Sequence, residues 1–135
     1  MQISFIRPNL FDQRSTDAMT PLCFAILKGL TPEKHQVTFH DERLAPLPTD
    51  DRPDLVAMTV ETYTARRAYQ IASDYRRRGI KVVMGGYHPT FLPDEALQFS
   101  DAVVIGDAEA VWPKVLEDAE SGVLAPIYQG EEFPC

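Results

Sequence analysis

The chain has 135 residues, with 20 acidic and 13 basic side chains, a net charge of −7, and 44% hydrophobic and 24% charged residues. This is the balance of one globular domain with a single core, and the acidity argues against nucleic acid or an anionic membrane surface as partner. With no run of the ~18 apolar residues a membrane span needs, no signal-peptide layout at Met1 to Ile6, and Cys23 and Cys135 in neither a metal spacing nor a disulfide framework, a cytoplasmic setting is expected.

Gln2 to Arg7 reads as a first strand, ended by Pro8. The loop from Pro8 to Met19, about twelve residues, is longer than most strand-to-helix connections and is a candidate ligand loop. Thr20 and Pro21 predict a helix start, threonine as cap and proline at the first position. The apolar positions of that helix are Leu22, Cys23, Ala25, Ile26, Leu27 and Leu30. Gln36 to His40 reads as an edge strand. Glu42 to Pro53, with Pro46, Pro48 and several acids, reads as a surface connection. Leu55 to Val60 is the third strand. The three- and four-residue spacing of Ala65, Ala68, Tyr69, Ala72 and Tyr75 predicts a helix over Thr64 to Arg78, closed by Gly79. Its basic end, Arg76 to Arg78, complements the helix dipole. Ile80 to Met84 is the fourth strand, Leu92 to Phe99 a short helix and Ala102 to Ile105 the fifth strand. A last helix runs to about Ser121, its regular start limited by Pro113, and Ala125 to Tyr128 is a candidate final short strand.

This alternation is that of an α/β domain, residues 1–135 forming one unit. The expected architecture is Rossmann-like (flavodoxin-like): a doubly wound, mainly parallel five-stranded sheet, order 2-1-3-4-5, with helices on both faces. The loops after strands one, three, four and five would then share the carboxyl rim, where open α/β sheets bind ligands.

Two junctions on that rim stand out. Lys81-Val-Val-Met-Gly-Gly-Tyr-His-Pro-Thr90 carries an apolar run into paired glycines, and Asp101-Ala-Val-Val-Ile-Gly-Asp-Ala-Glu109 repeats the plan. No G-x-x-x-x-G-K-[ST] and no G-x-G-x-x-G after strand one is present, which removes P-loop and dinucleotide fingerprints. The third strand ends Met58-Thr-Val-Glu61 without the aspartate of a phosphoacceptor domain, and Pro8 to Thr16 lacks a flavodoxin-type phosphate pattern. Small and hydroxyl residues remain: Thr59, Thr62, Thr64, Gly85, Gly86, Thr90 and Gly106. Such residues let a bulky ligand approach the backbone. With only Tyr87, His88, Asp107 and Glu109 beside them, no catalytic set is specified, and the pattern is that of a domain holding a cofactor.

These residues resemble the N-terminal cobalamin-binding domain of B12-dependent radical SAM enzymes, the group that includes anaerobic magnesium-protoporphyrin cyclase and many methyltransferases. The carriers are Asp54-Leu-Val-Ala-Met-Thr-Val-Glu-Thr62, Gly85-Gly-Tyr-His-Pro-Thr90 and Gly106-Asp-Ala-Glu109, the last departing from the family's usual Gly-Glu-x-Glu by Asp107. The resemblance implies that cobalamin's nucleotide tail enters the sheet rim with the corrin across it. It places Thr59, Glu61, Thr62, Gly85, Gly86, Tyr87, His88, Pro89, Gly106 and Glu109 at the cofactor, with no catalytic and no metal-ligating residue. The Asp-x-His-x-x-Gly motif for an axial histidine is missing, so the cobalt's lower face would have water or no protein ligand. A three-cysteine cluster motif is missing too. SAM and a 4Fe-4S cluster are thus implied only for a downstream radical SAM domain, and the chain for a domain excised from a longer one.

Each feature also has a plainer reading. Gly85 and Gly86 could form only a tight turn, Thr59 and Thr62 could satisfy backbone groups at a strand end, and His88 could pack a loop rather than ligate cobalt. Glu109 could serve the first turn of a helix, while Trp112 and Phe91 read as core or inter-domain packing. His35 and His40 are given no function. A degenerate Rossmann-like domain without cofactor, and a flavin or nucleotide binder, are the alternative functions.

Overall fold

The computed structural model describes residues 1–9 and 22–130. Leu10 to Met19, the Thr20–Pro21 helix start and Cys135 lie outside the described residues. The strands are β1 (Gln2–Arg7), β2 (Gln36–Asp41), β3 (Leu55–Thr59), β4 (Lys81–Gly85), β5 (Ala102–Ile105) and β6 (Ile127–Gln129). The helices are α1 (Leu22–Gly29), α2 (Ala65–Arg77, entered by a 3-10 turn over Thr62–Thr64), α3 (Tyr87–Phe91), α4 (Pro93–Leu97) and α5 (Trp112–Glu120).

All six strands pair in parallel in the order β2-β1-β3-β4-β5-β6. The doubly wound Rossmann-like fold is therefore observed with one strand more than the five expected. β6 adds beside β5, Val103 opposite Ile127. A three-residue strand is too short to show a period, and contacts with α5 hold it. The Tyr128 hydroxyl donates to Asp118 Oδ2 at 2.7 Å and accepts the Ala125 amide at 2.9 Å.

Strand alternation sends successive residues to opposite faces. Ile6, Val56, Met58, Val82, Met84 and Val103 pack under α2 and α4. Ile3, Phe5, Leu55, Ala57, Val83 and Val104 pack under α1 and α5. A sheet covered on both sides explains why β3 is buried along its whole length.

The short helix expected near Leu92 to Phe99 is present as α4, and a further helix, α3, precedes it, the two parted at Leu92 (φ −130°, ψ 60°). A residue before proline avoids the helical region, and Pro93 then opens the next helix. In α1 the buried residues are Phe24 and Leu27, while Leu22 is 71% exposed. The link between β2 and β3 carries no helix, as its prolines imply. No described helix is long and apolar enough to cross a membrane.

The two edges of the sheet differ. At the amino edge carboxylates close off strand amides: Asp54 Oδ2 accepts from Gln2 N–H at 2.7 Å and Asp101 Oδ2 from Val82 N–H at 2.8 Å. The carboxyl edge has glycines and hydroxyls instead.

Candidate functional site

The carboxyl ends of β3, β4 and β5 come side by side, and beneath them α1 and α5 leave a narrow slot of about 50 Å³. Its walls are apolar: Phe24 and Leu27 from α1, Ala57, Val83 and Val104 from the strands, and Trp112 from α5. Thr59, Gly85, Gly86 and Gly106 form its mouth, with Cys23 and Ala108 beside them. An apolar cavity with a few polar groups at the opening is the usual form of a cofactor site.

The mouth is built by backbone geometry. Gly86 has φ +106°, and a Cβ there would lie 2.8 Å from the Val60 carbonyl oxygen and 3.2 Å from Thr59 Oγ1. Glycine is thus required at Gly86 by the protein's own chain. Around it, Val60 N–H donates to the Gly85 carbonyl at 2.8 Å and His88 N–H to the Val60 carbonyl at 3.1 Å. Gly106, at φ +79°, donates its N–H to Thr90 Oγ1 at 3.0 Å. Gly85 is different. A Cβ would meet only Val104 Cβ, at 3.8 Å, so the fold tolerates a side chain there and its absence leaves the slot open.

The other expected site residues divide. Tyr87 lies at the rim, 45% exposed, near the exposed Phe91 and Leu92. Glu61 starts the 3-10 turn, its N–H donating to Thr64 Oγ1 at 3.0 Å. Pro89 is buried in α3 and Glu109 is exposed. His88 and Thr62 are not brought to the slot, and they line an open groove between α2 and α4. There His88 Nε2 lies 2.6 Å from Glu95 Oε2, and its Nδ1 lies 3.4 Å from Thr62 Oγ1. The Tyr69 hydroxyl donates to the same Glu95 oxygen at 2.7 Å. This bond, with that to His88, holds the Glu95 carboxyl below its ordinary range, while burial first and Glu95 second push the Tyr69 phenol up.

Sequence reasoning missed two parts of the site. Phe24 and Trp112 join the slot because two helices far apart in sequence converge over one sheet face, which no local pattern reports. Trp112 is indeed core, 2% exposed, its Nε1–H donating to Thr31 Oγ1 at 2.9 Å. Sequence reasoning also passed over Arg7, the last residue of β1, which is 6% exposed and is not among the residues lining the slot. Its Nη2 donates to the Tyr63 hydroxyl at 3.1 Å, and its buried Nη1 has no hydrogen-bond partner among the described residues. Its position in a strand is what sequence shows, and its burial is not. No group of three or more His, Cys, Asp or Glu side chains suited to a metal ion is present among the described residues.

Residues 19–116 match the family model described as B12 binding domain. Over 124 residues the chain is 34% identical to the bacteriochlorophyllide d C-8(2)-methyltransferase of Chlorobaculum tepidum, covering 91% of this chain and 28% of that one. It is 35% identical over 115 residues to the bacteriochlorophyllide d C-12(1)-methyltransferase of the same organism, covering 84% of this chain and 25% of the other. An uncharacterized methyltransferase of Pyrococcus horikoshii is 30% identical over 115 residues, covering 76% and 25%. The chain thus spans 25–28% of the length of these curated relatives.

Proposed function

The chain belongs to the B12-binding domain family, and on that premise we propose that it holds cobalamin by the nucleotide tail, the base in the slot and the macrocycle across the carboxyl rim. The observation that carries this reading is the slot itself, with flat apolar walls and a glycine at its mouth (Gly85) whose missing side chain the fold does not need. The reading sets an aromatic heterocycle against Phe24, Trp112 and the small strand residues, and the Thr59 hydroxyl suits the polar part of the tail. Tyr63, Tyr87 and Phe91, 61%, 45% and 72% exposed, form an apolar rim for the macrocycle and for a neighbouring domain.

In this reading His88 is a positioning residue that ties α3 to α4 through Glu95, and the cobalt takes no histidine from this chain. Thr62, Glu61, Pro89 and Glu109 shape the loops rather than touch the tail. Bound cobalamin would supply a cobalt centre able to carry a methyl group. The parent protein is a B12-dependent radical SAM enzyme whose SAM and 4Fe-4S cluster belong to a downstream domain. The names of the two bacteriochlorophyllide relatives favour methyl transfer over ring formation for it.

Titration of the purified chain with hydroxocobalamin, followed in the visible spectrum, tests the proposal. A saturable spectral change that Gly85→Val abolishes supports it. Absence of any saturable change refutes it, and a flavin or nucleotide that raises the melting temperature instead would redirect the assignment.

A further inference from the structure

We infer that the Arg7 guanidinium is the seat for the phosphodiester of the nucleotide tail, an assignment that rests on the cobalamin reading above. Arginine stays protonated in any protein environment, and a buried charge without a counter-ion is costly. Arg7 is 6% exposed. The acids nearest it in the sheet are committed elsewhere. Asp41 stands opposite Arg7 in the β1–β2 register, yet its carboxylate takes the Arg43 guanidinium at 2.8 Å. Glu42 donates its N–H to the Arg7 carbonyl, while its carboxylate takes Arg67 at 2.6 Å. Among the described residues the Arg7 guanidinium has only the neutral Tyr63, by a hydroxyl contact and by the ring face at 6.0 Å, and Nη1 has nothing. Among the described residues, an anion is what this group lacks.

The position selects which anion. β1 is next to β3, and Ile6 stands opposite Met58, so Arg7 comes level with Thr59 at the slot mouth. Alternation puts Arg7 on the face of Phe5, as Thr59 is on that of Ala57, which is the slot's face. One strand spacing, about 4.8 Å, separates the two backbones. A phosphodiester joining a base in the slot to a macrocycle on the rim passes this point, and a guanidinium fork suits its two free oxygens.

The test compares three corrinoids on the 135-residue chain: hydroxocobalamin, cobinamide, which lacks phosphate, ribose and base, and cobinamide phosphate, which restores the phosphate alone. Arg7→Met is expected to weaken both phosphate-bearing ligands roughly tenfold to a hundredfold and to leave cobinamide within about twofold. Equal loss for all three, or no loss, overturns the assignment. Should Arg7→Met fail to fold, Arg7→Lys keeps the charge and is expected to weaken the same two ligands by a smaller factor. On the unaltered chain, inorganic phosphate is expected to displace hydroxocobalamin, but not cobinamide, where chloride at equal ionic strength does not. Phosphate that binds at Arg7 without affecting hydroxocobalamin points to a free anion and overturns the tail assignment. An unaltered chain that binds none of the three corrinoids refutes the cofactor reading itself.

Discussion

Gly85 and Gly86 are neighbours, and the structure assigns them opposite consequences. At Gly86 (φ +106°, ψ −171°) the backbone lies in a region that is essentially glycine's alone, worth about 1–3 kcal/mol against any other residue. A Cβ would also press on the Val60 oxygen and nitrogen at 2.8 and 3.0 Å. Relieving that contact stretches the bonds from His88 N–H to Val60 and from Val60 N–H to Gly85, each worth about 0.5–1.5 kcal/mol. Gly86→Ala is therefore expected to cost about 2–4 kcal/mol of a total of roughly 5–15, a fall of roughly 10 °C in melting temperature. Gly85 has no positive φ and meets only Val104 Cβ at 3.8 Å. Gly85→Val is expected to melt at or slightly above the unaltered chain, since replacing a strand glycine gains up to about 1 kcal/mol, and to lose hydroxocobalamin binding. Thermal unfolding by circular dichroism and the spectral titration read the two effects separately. A Gly86→Ala chain as stable as the parent sinks the backbone reasoning, and a Gly85→Val chain that binds normally removes the slot from the site.

Trp112→Ala removes a 2% exposed ring and its bond to Thr31, and is expected to cost about 3–5 kcal/mol by denaturant unfolding; a loss under 1 kcal/mol would mean the slot collapses around the gap. His35 is buried and accepts from the Met1 ammonium at 2.7 Å, so burial first and that charge second lower its pKa from 6.5. A histidine pKa lowered on folding means that the unfolded chain binds the extra proton, so stability is full above about pH 6.5 and falls as pH drops below it. His35→Asn should flatten that slope in melting curves, and an unchanged slope refutes the assignment. The Glu95 pKa is lowered by Tyr69 and then His88, so its contribution is present above the usual carboxylate range and lost as pH falls through its folded value. Glu95→Gln is accordingly expected to narrow the melting-temperature difference between neutral and acid pH, and an undiminished difference counts against the Tyr69–Glu95–His88 cluster.

The strands were legible because a sheet covered on both faces writes continuous apolar runs. Gln2–Arg7 and Ala102–Ile105 have the predicted bounds. Ile127–Gln129 was legible only as a candidate, because its stability comes from the Tyr128–Asp118 bond rather than from a pattern. The helix over Tyr87–Phe91 was not legible, because five residues are too few to show a period, whereas the one that follows at Pro93–Leu97 was. Helix α1 is apolar over much of its circumference, so sequence did not fix which side meets the sheet, and Phe24 went unmarked. At the rim, Thr59, Gly85, Gly86 and Gly106 come together because strand ends in a parallel sheet line up. His88 does not join them because the chain turns at Gly86 and carries α3 toward the α2 face. Arg7 reads as one more strand residue until its neighbours Asp41 and Glu42 are seen paired with other guanidiniums.

The amide contacts that tie Val60 to Gly85, His88 to Val60 and Gly106 to Thr90 have a kinetic consequence. These segments are fastened to one another by the protein alone, so no ordering step there has to precede the arrival of a guest. Observed association rates should climb linearly with concentration without reaching a plateau, and the heat-capacity change on complexation should match the apolar area covered, with no added contribution from coupled folding of these segments.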